Sequence, residues 1–311
     1  MTVSVPVRGW THRHLFDVEG LGLAELDRIL DLAVEMREAR AGRAHRSLLE
    51  DETVALAFYE SSTRTRVSFE LAAKALGATV VDLAIAGSSV QKGESLVDTL
   101  RTLERTGVTT VVLRHPASGA PQLAARATGL RVVNAGDGVH AHPTQALADL
   151  LTLREALGSV AGRTVTIVGD VAHSRVARSN IHALAAAGAN VRVAGPRGWV
   201  EAFADWPGLE VATVLEDALR GADAVMTLRV QVERLGEHDD LDLQAYVREW
   251  RIDSDRLGLA PGAPLLHPGP TNEGVELTAE VAAGPSSLIG RQVENGVPVR
   301  MAILALVSGV A

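Results

Sequence analysis

At 311 residues, 47% hydrophobic and 22% charged, the chain has a globular composition long enough for two domains with separate cores. It has no cysteine, which excludes disulfides, thiolate metal sites and a cysteine nucleophile. A net charge of −8 argues against bulk binding to nucleic acid or acidic membranes, so any anion must be met by positive charge gathered locally.

The opening MTVSVPVRGWTHRHLF lacks a signal-peptide core, and no apolar run reaches membrane-spanning length; a cytoplasmic location is expected. Residues 23–40 place Leu26, Ile29, Leu30, Ala33 and Met36 at helical spacing. TVALAFY (53–59) reads as a strand, a helix runs from Arg66 to the stop at Gly77, and ATVVDLA is a second strand. TTVVLR (109–114), QLAARATG and RVVNAG (131–136) repeat the strand, helix, strand order. A helix over about 144–157 leads to a second series: RTVTIVGD (163–170), the helix SRVARSNIHALAAAGA, and NVRVAGP (190–196). ADAVMTLR (222–229), APLLHP (263–268) and a closing helix in NGVPVRMAILALVSGV complete it. Such alternation predicts parallel sheets with crossover helices, and Gly158–Gly162 is the expected hinge between the two series.

Polar clusters follow the strands, where open parallel sheets bind ligands. In Glu60-Ser61-Ser62-Thr63-Arg64-Thr65-Arg66, a helix start with hydroxyls and a guanidinium suits an anion; the alternative is an ordinary Ser/Thr cap beside solvated arginines. No G-x-x-x-x-G-K-S/T is present, so this is not a nucleotide P-loop. Arg114-His115-Pro116 ends the next strand and read alone is a surface arginine. In His140-Ala141-His142-Pro143-Thr144-Gln145, the histidine pair suggests either a metal site or an imidazole of His142 aimed at a carbonyl oxygen, with His140 a bystander. Arg175 in GDVAHSR and Arg229-Val230-Gln231 in TLRVQVERL are solvated charges or, taken together, a site for a small dicarboxylate. Of the 30 basic residues only Lys74 and Lys92 are lysine, and Lys92 stands in the polar run SSVQKGESLVDT.

Together these segments resemble the catalytic chains of the aspartate carbamoyltransferase family. FYESSTRTRVSFE is similar to its carbamoyl-phosphate signature, and SSVQKGESLVDT to its mobile loop with Ser and Lys four apart. RHP, NAGDG with HPTQ, GDVAHSR, RVQ and HPGP follow in family order, so that the likeness runs from about residue 10 to 307.

The resemblance implies two doubly wound parallel-sheet α/β domains, residues 1–148 with 293–311 and residues 149–292, with the active site in the cleft between them. It implies that Ser62, Thr63, Arg64 and Thr65 hold the phosphate of carbamoyl phosphate. Arg114, His142 and Thr65 would polarise the carbamoyl oxygen, Gln145 and the carbonyls of Pro268 and Gly269 would meet the carbamoyl nitrogen, and Arg175, Arg229 and Gln231 would receive L-aspartate. Ser88 and Lys92 would reach into the neighbouring subunit of a homotrimer, Lys92 bridging phosphate and aspartate. No cofactor or metal is implied; association with dihydroorotase or a regulatory chain is left open. The chain departs from the family's frequent HPLPR in reading HPGPT, so Thr271 receives no role.

Ornithine carbamoyltransferase shares S-T-R-T-R and H-P-x-Q but uses a cysteine in an H-C-L-P segment, which this chain lacks. A nicotinamide-dependent oxidoreductase would need the missing G-x-G-x-x-G, and a catalytically silent assembly subunit sits poorly with a complete motif set.

Overall fold

The computed structural model describes residues 10–42, 47–83, 93–231 and 242–311. The chain forms two compact units, Met1–Leu147 with Glu294–Ala311, and Ala148–Val293.

In the first unit the order is α1 (Leu23–Gly42), β1 (Thr53–Phe58), α2 (Thr63–Ala75), β2 (Thr79–Leu83), α3 (Leu96–Arg105), β3 (Thr110–His115), α4 (Ala120–Ala127), β4 (Arg131–Asp137) and the first turns of α5 (Pro143–Leu157). The four strands are all parallel, in the order β2-β1-β3-β4. Residues Val54–Ala57 of β1 and Thr110–Leu113 of β3 are buried on both faces, as a sheet covered by helices requires. Leu56 and Leu113 are wholly buried, and truncating either to Ala would cost about 2–5 kcal/mol. Leu100 and Leu103 of α3 and Ala124 of α4 pack on Ala55, Val111 and Val132.

The second unit contains the rest of α5, then β5 (Thr164–Val168), α6 (Arg175–Ala186), β6 (Asn190–Ala194), α7 (Arg197–Val200), β7 (Leu209–Ala212), α8 (Leu215–Leu219), β8 (Ala224–Thr227), α9 (Leu243–Trp250), α10 (Ser254–Leu257), β9 (Leu265–Leu266), α11 (Ala279–Ala282) and the start of α12 (Ile289–Ser308). Its sheet is also wholly parallel, in the order β7-β6-β5-β8-β9. Trp199, Leu215, Val225, Trp250 and Leu265 share its core.

The sequence places the changeover at Gly158–Gly162, but the chain passes from one unit to the other inside α5, between Leu147 and Ala148, and returns inside α12. The cause is Asp149. This wholly buried carboxylate accepts hydrogen bonds from Asn180 Nδ2 (2.9 Å) and Gln292 Nε2 (2.8 Å), which holds the second half of α5 in the second unit. Gly158 and Gly162 form the turn into β5 instead, both at positive φ. Helix α2 begins at Thr63, three residues before the position read from the pattern, because Ser62 in extended conformation takes the cap position.

In each sheet the strand order reverses once. β1 leads to β2 on one side while β3 lies on the other, and β5 leads to β6 and β7 on one side while β8 and β9 lie on the other. Ligands of open parallel sheets bind outside the carboxyl ends of the strands at such reversals.

Candidate active site

At the first reversal the segments after β1, β3 and β4 meet. Ser62 caps α2 with backbone angles φ −163° and ψ 101°, its hydroxyl makes no capping bond, and the first turn carries no acidic side chain. The opening N–H groups of α2 therefore combine with the helix dipole to favour an anion. Thr65 is buried in that turn, whereas Arg64 is exposed beside it. Arg66 turns away to an ion pair with Asp82 at 3.0 Å.

Arg114 stands where the β3–β4 register shifts, between Leu113 and His115. Its Nη1 donates to the Ala135 carbonyl (3.2 Å) and its Nε lies 3.5 Å from Glu60 Oε2, so one guanidinium ties the ends of β1 and β4. Beside it His115 Nδ1 accepts the Ala117 N–H at 3.0 Å, and burial holds this imidazole below its ordinary range.

The loop after β4 is organised by Asp137, which is wholly buried. Its Oδ2 accepts from Gly119 N at 2.7 Å, and its Oδ1 accepts from Asn134 Nδ2 (2.7 Å) and Ala141 N (3.2 Å). His140 Nδ1 lies 3.1 Å from the same carboxylate, so His140 is no bystander: it braces the residue that shapes the loop. Gly138 is required between them. It has φ +47°, and a Cβ there would press on Ser118 Oγ and come within 2.8 Å of the Ser118 nitrogen. His142 follows, buried, with its carbonyl accepting from Gln145 N (3.1 Å) and Ala146 N (3.3 Å) at the start of α5, where Pro143 needs no N–H partner.

At the second reversal, Asp170 after β5 plays the corresponding part. Wholly buried, it lies 2.8 Å from His173 Nδ1 and accepts from His173 N (3.2 Å) and Gln231 N (3.3 Å). Gln231 Nε2 in turn donates to the His173 carbonyl at 3.2 Å, so the segments after β5 and β8 are stitched together. Arg175, buried in the first turn of α6, and Arg229, half-buried after β8, flank this junction.

Pro268 and Gly269 follow β9, the next strand in the sheet, and Asn272 Nδ2 reaches the Val230 carbonyl at 3.5 Å. Tyr246 packs over Gly169, where a Cβ would come within 3.1 Å of its hydroxyl. Burial first, and then Glu276 and Asp170, push its phenol up, so it stays protonated.

Of the residues singled out in the sequence, the first unit brings Arg114 to the Glu60 segment and holds His142 and Gln145 through Asp137. The second brings Gln231 to the segment carrying Arg175. Ser88 and Lys92, with Glu233 and Arg234 of the RVQVERL run, lie outside the described residues. Four buried carboxylates have no role in the sequence reading: Asp137 in NAGDG, Asp170 in VGD, Glu276, and Asp149 within α5. For Asp137 and Asp170 the available signal is an acid where a strand ends.

Known proteins carry the same pattern. Residues 13–155 match the model of the aspartate/ornithine carbamoyltransferase carbamoyl-P binding domain, and residues 161–307 that of the Asp/Orn binding domain of the same family. The chain is 47% identical over 304 residues to the aspartate carbamoyltransferase catalytic subunit of Roseiflexus sp. (strain RS-1), covering 96% of this chain and 95% of the relative. It is 49% identical over 303 residues to that of Gluconobacter oxydans, covering 96% and 97%. Aspartate transcarbamoylase from Trypanosoma cruzi, in complex with N-(phosphonacetyl)-L-aspartic acid, superposes with a TM-score of 0.84 at 31% identity, covering 96% of this chain and 97% of that one. Ornithine carbamoyltransferase from Pyrococcus furiosus superposes at 0.86 and 29%, covering 97% and 98%. With both family models matched and nearly half the residues shared along the length, the chain belongs to the aspartate/ornithine carbamoyltransferase family.

Proposed function

We propose that the chain transfers the carbamoyl group of carbamoyl phosphate to the α-amino group of L-aspartate, giving N-carbamoyl-L-aspartate and phosphate, a step that serves pyrimidine synthesis. The fold alone does not choose between aspartate and ornithine, since relatives of both kinds superpose equally well. The observation that carries the choice is the junction at the second sheet reversal, where Asp170 ties Gln231 to the segment of Arg175 beside Arg229. Two guanidinium groups and an amide there suit a dicarboxylate and repel a cationic side chain. The curated relatives at 47–49% identity carry the aspartate name, which supports the same choice.

In this reading Ser62, Thr63, Arg64 and Thr65 hold the phosphate at the opening of α2, with Ser88 contributing from a neighbouring subunit. Arg114, His142 and Thr65 stabilise the carbamoyl oxygen as it gains charge, while Gln145 and the Pro268 and Gly269 carbonyls bind the carbamoyl nitrogen. Arg175, Arg229 and Gln231 orient aspartate. The amine, as free base, attacks the carbamoyl carbon; a tetrahedral oxyanion forms, the C–O bond to phosphate breaks, and the departing phosphate takes the amine proton. The chemistry asks chiefly for placement and charge. One opposite charge at about 4 Å in a medium of effective dielectric near 20 is worth roughly 4 kcal/mol before desolvation. Holding two anions together therefore calls for several cations, and Lys92 adds one on a flexible stem from the neighbouring subunit. The enzyme works as a cytoplasmic homotrimer, residues 1–148 with 293–311 serving carbamoyl phosphate and 149–292 serving aspartate.

The test is turnover by the purified chain with ¹³C-labelled carbamoyl phosphate and either amino acid. Labelled carbamoyl-aspartate and no citrulline is expected; comparable rates with ornithine, or no product with aspartate, would overturn the reading.

A further inference from the structure

The segment after β9, His267-Pro268-Gly269-Pro270-Thr271-Asn272, is held by side chains that the reaction does not itself require. His267 and Glu276 are both 1% exposed. The Gly269 N–H donates to His267 Nδ1 at 2.8 Å, and because a backbone N–H is always the donor, Nδ1 must present its lone pair. The ring hydrogen then sits on Nε2, which lies 3.0 Å from Glu276 Oε1. The same oxygen accepts the Asn272 N–H at 2.6 Å. His267's own N–H donates to Gln292 Oε1 at 2.9 Å, so the segment is pinned at 267, 269 and 272. Gly269 completes the bend at φ +68°, a region open to glycine.

We propose that Glu276 is a positioning residue for carbamoyl transfer: by accepting the Nε2–H of His267 it selects the tautomer whose Nδ1 holds the Gly269 N–H, and so fixes the direction of the Pro268 and Gly269 carbonyls. The inference rests on the reading that these carbonyls receive the carbamoyl nitrogen. The other tautomer is disfavoured at both ends. Its Nδ1–H would face the Gly269 N–H, donor against donor at 2.8 Å, and its Nε2 lone pair would face a carboxylate oxygen at 3.0 Å. Without the acid, nothing at Nε2 distinguishes the two forms, and the Gly269 peptide is free to turn. The second oxygen, Glu276 Oε2, is buried with no hydrogen-bond partner among the described residues. An amide nitrogen could therefore take its place while Oε1 keeps both bonds.

The experiment uses the assembled full-length enzyme with ¹⁵N-labelled histidine, as wild type, Glu276→Gln and Glu276→Ala. In the wild type His267 is expected to show a protonated Nε2 and a bare Nδ1; a protonated Nδ1 there overturns the proposal without any variant. Glu276→Gln should keep that signature and stay within about threefold of wild-type turnover, because both hydrogen bonds survive. Glu276→Ala should mix the tautomers and lower kcat/KM for carbamoyl phosphate about tenfold to a hundredfold, the scale of an ångström-size misplacement, with a smaller change in the KM for aspartate. An unchanged His267 signature in Glu276→Ala overturns the tautomer role. Mixed tautomers with unchanged kinetics would leave that role standing and remove Pro268 and Gly269 from the carbamoyl site.

Discussion

Replacing Asp137 by Asn exchanges one oxygen for an NH2 group in a side chain that no substrate needs to touch, yet it should impair catalysis. Both carboxylate oxygens accept: Oδ2 takes Gly119 N at 2.7 Å, and Oδ1 takes Asn134 Nδ2 at 2.7 Å and Ala141 N at 3.2 Å. An asparagine offers one oxygen, so its amide nitrogen must face at least one of these N–H groups. Losing a hydrogen bond to a charged group removes about 1.5–3 kcal/mol, and stranding its donor costs about 1–3 kcal/mol more, so about 2.5–6 kcal/mol is lost locally. The loss falls on the loop that runs from Asp137 into His142 and Gln145, and on Gly119, which caps α4 after the Arg114 segment. If even part of it displaces His142 and Arg114, kcat/KM for carbamoyl phosphate drops about tenfold to a hundredfold. Two measurements check this: hydrogen exchange at the Gly119 and Ala141 amides, and initial rates at varied carbamoyl phosphate with saturating aspartate. Wild-type protection at both amides together with wild-type kinetics would refute the reasoning.

Arg64→Ala should reduce kcat/KM by about a hundredfold or more, the scale of losing a donor aimed at developing charge, as read by steady-state kinetics. Arg229→Ala should raise the KM for aspartate far more than that for carbamoyl phosphate; equal changes would misplace this residue. Lys92→Met and Arg64→Ala, each inactive alone, should recover partial activity when unfolded together and reassembled, and no recovery would argue against sites shared between subunits. Gly138→Ala should destabilise the first unit by about 2–4 kcal/mol in urea unfolding, from a left-handed backbone plus a clash with Ser118. Asp223 is held below its ordinary 3.8, first by the Thr164 N–H and then by Arg163, so it stabilises the fold above that pH. Its contribution should fade as pH falls below 3.8 through the lowered folded value, and Asp223→Asn should flatten that part of the stability profile.

Much of the scaffold was legible because parallel strands buried on both faces leave apolar runs such as TVALAF and AVMT. Helix α3 is absent from the sequence reading although its signals are present: Ser95 Oγ accepts the Asp98 N–H at 3.1 Å, and Leu96, Leu100 and Leu103 follow at helical spacing. Strand β7 is absent from it for a different reason. It has four residues, at the sheet edge, and none is fully buried, so it carries little hydrophobic pattern. The motif arginines and His142 could be named because their chemistry is local to a strand end or helix start. Asp137, Asp170 and Glu276 could not be assigned, since an acid reads as a surface residue until its distant partners arrive. Asp170 meets the Gln231 amide 61 residues away, and Asp137 meets that of Gly119 18 residues back. Their burial is a product of topology, and the one local sign, an acid where a strand ends in Asp137 and Asp170, does not by itself show it.

Binding of N-(phosphonacetyl)-L-aspartic acid, which joins a phosphonate to an aspartate in one molecule, tests most directly whether the two cation clusters serve one reaction. Calorimetry on the wild type, Arg64→Ala and Arg229→Ala should show that each substitution weakens binding by about 2–5 kcal/mol, roughly thirtyfold or more. Wild-type affinity in either variant would contradict the account, because one of the two clusters would then take no part in holding the joined ligand.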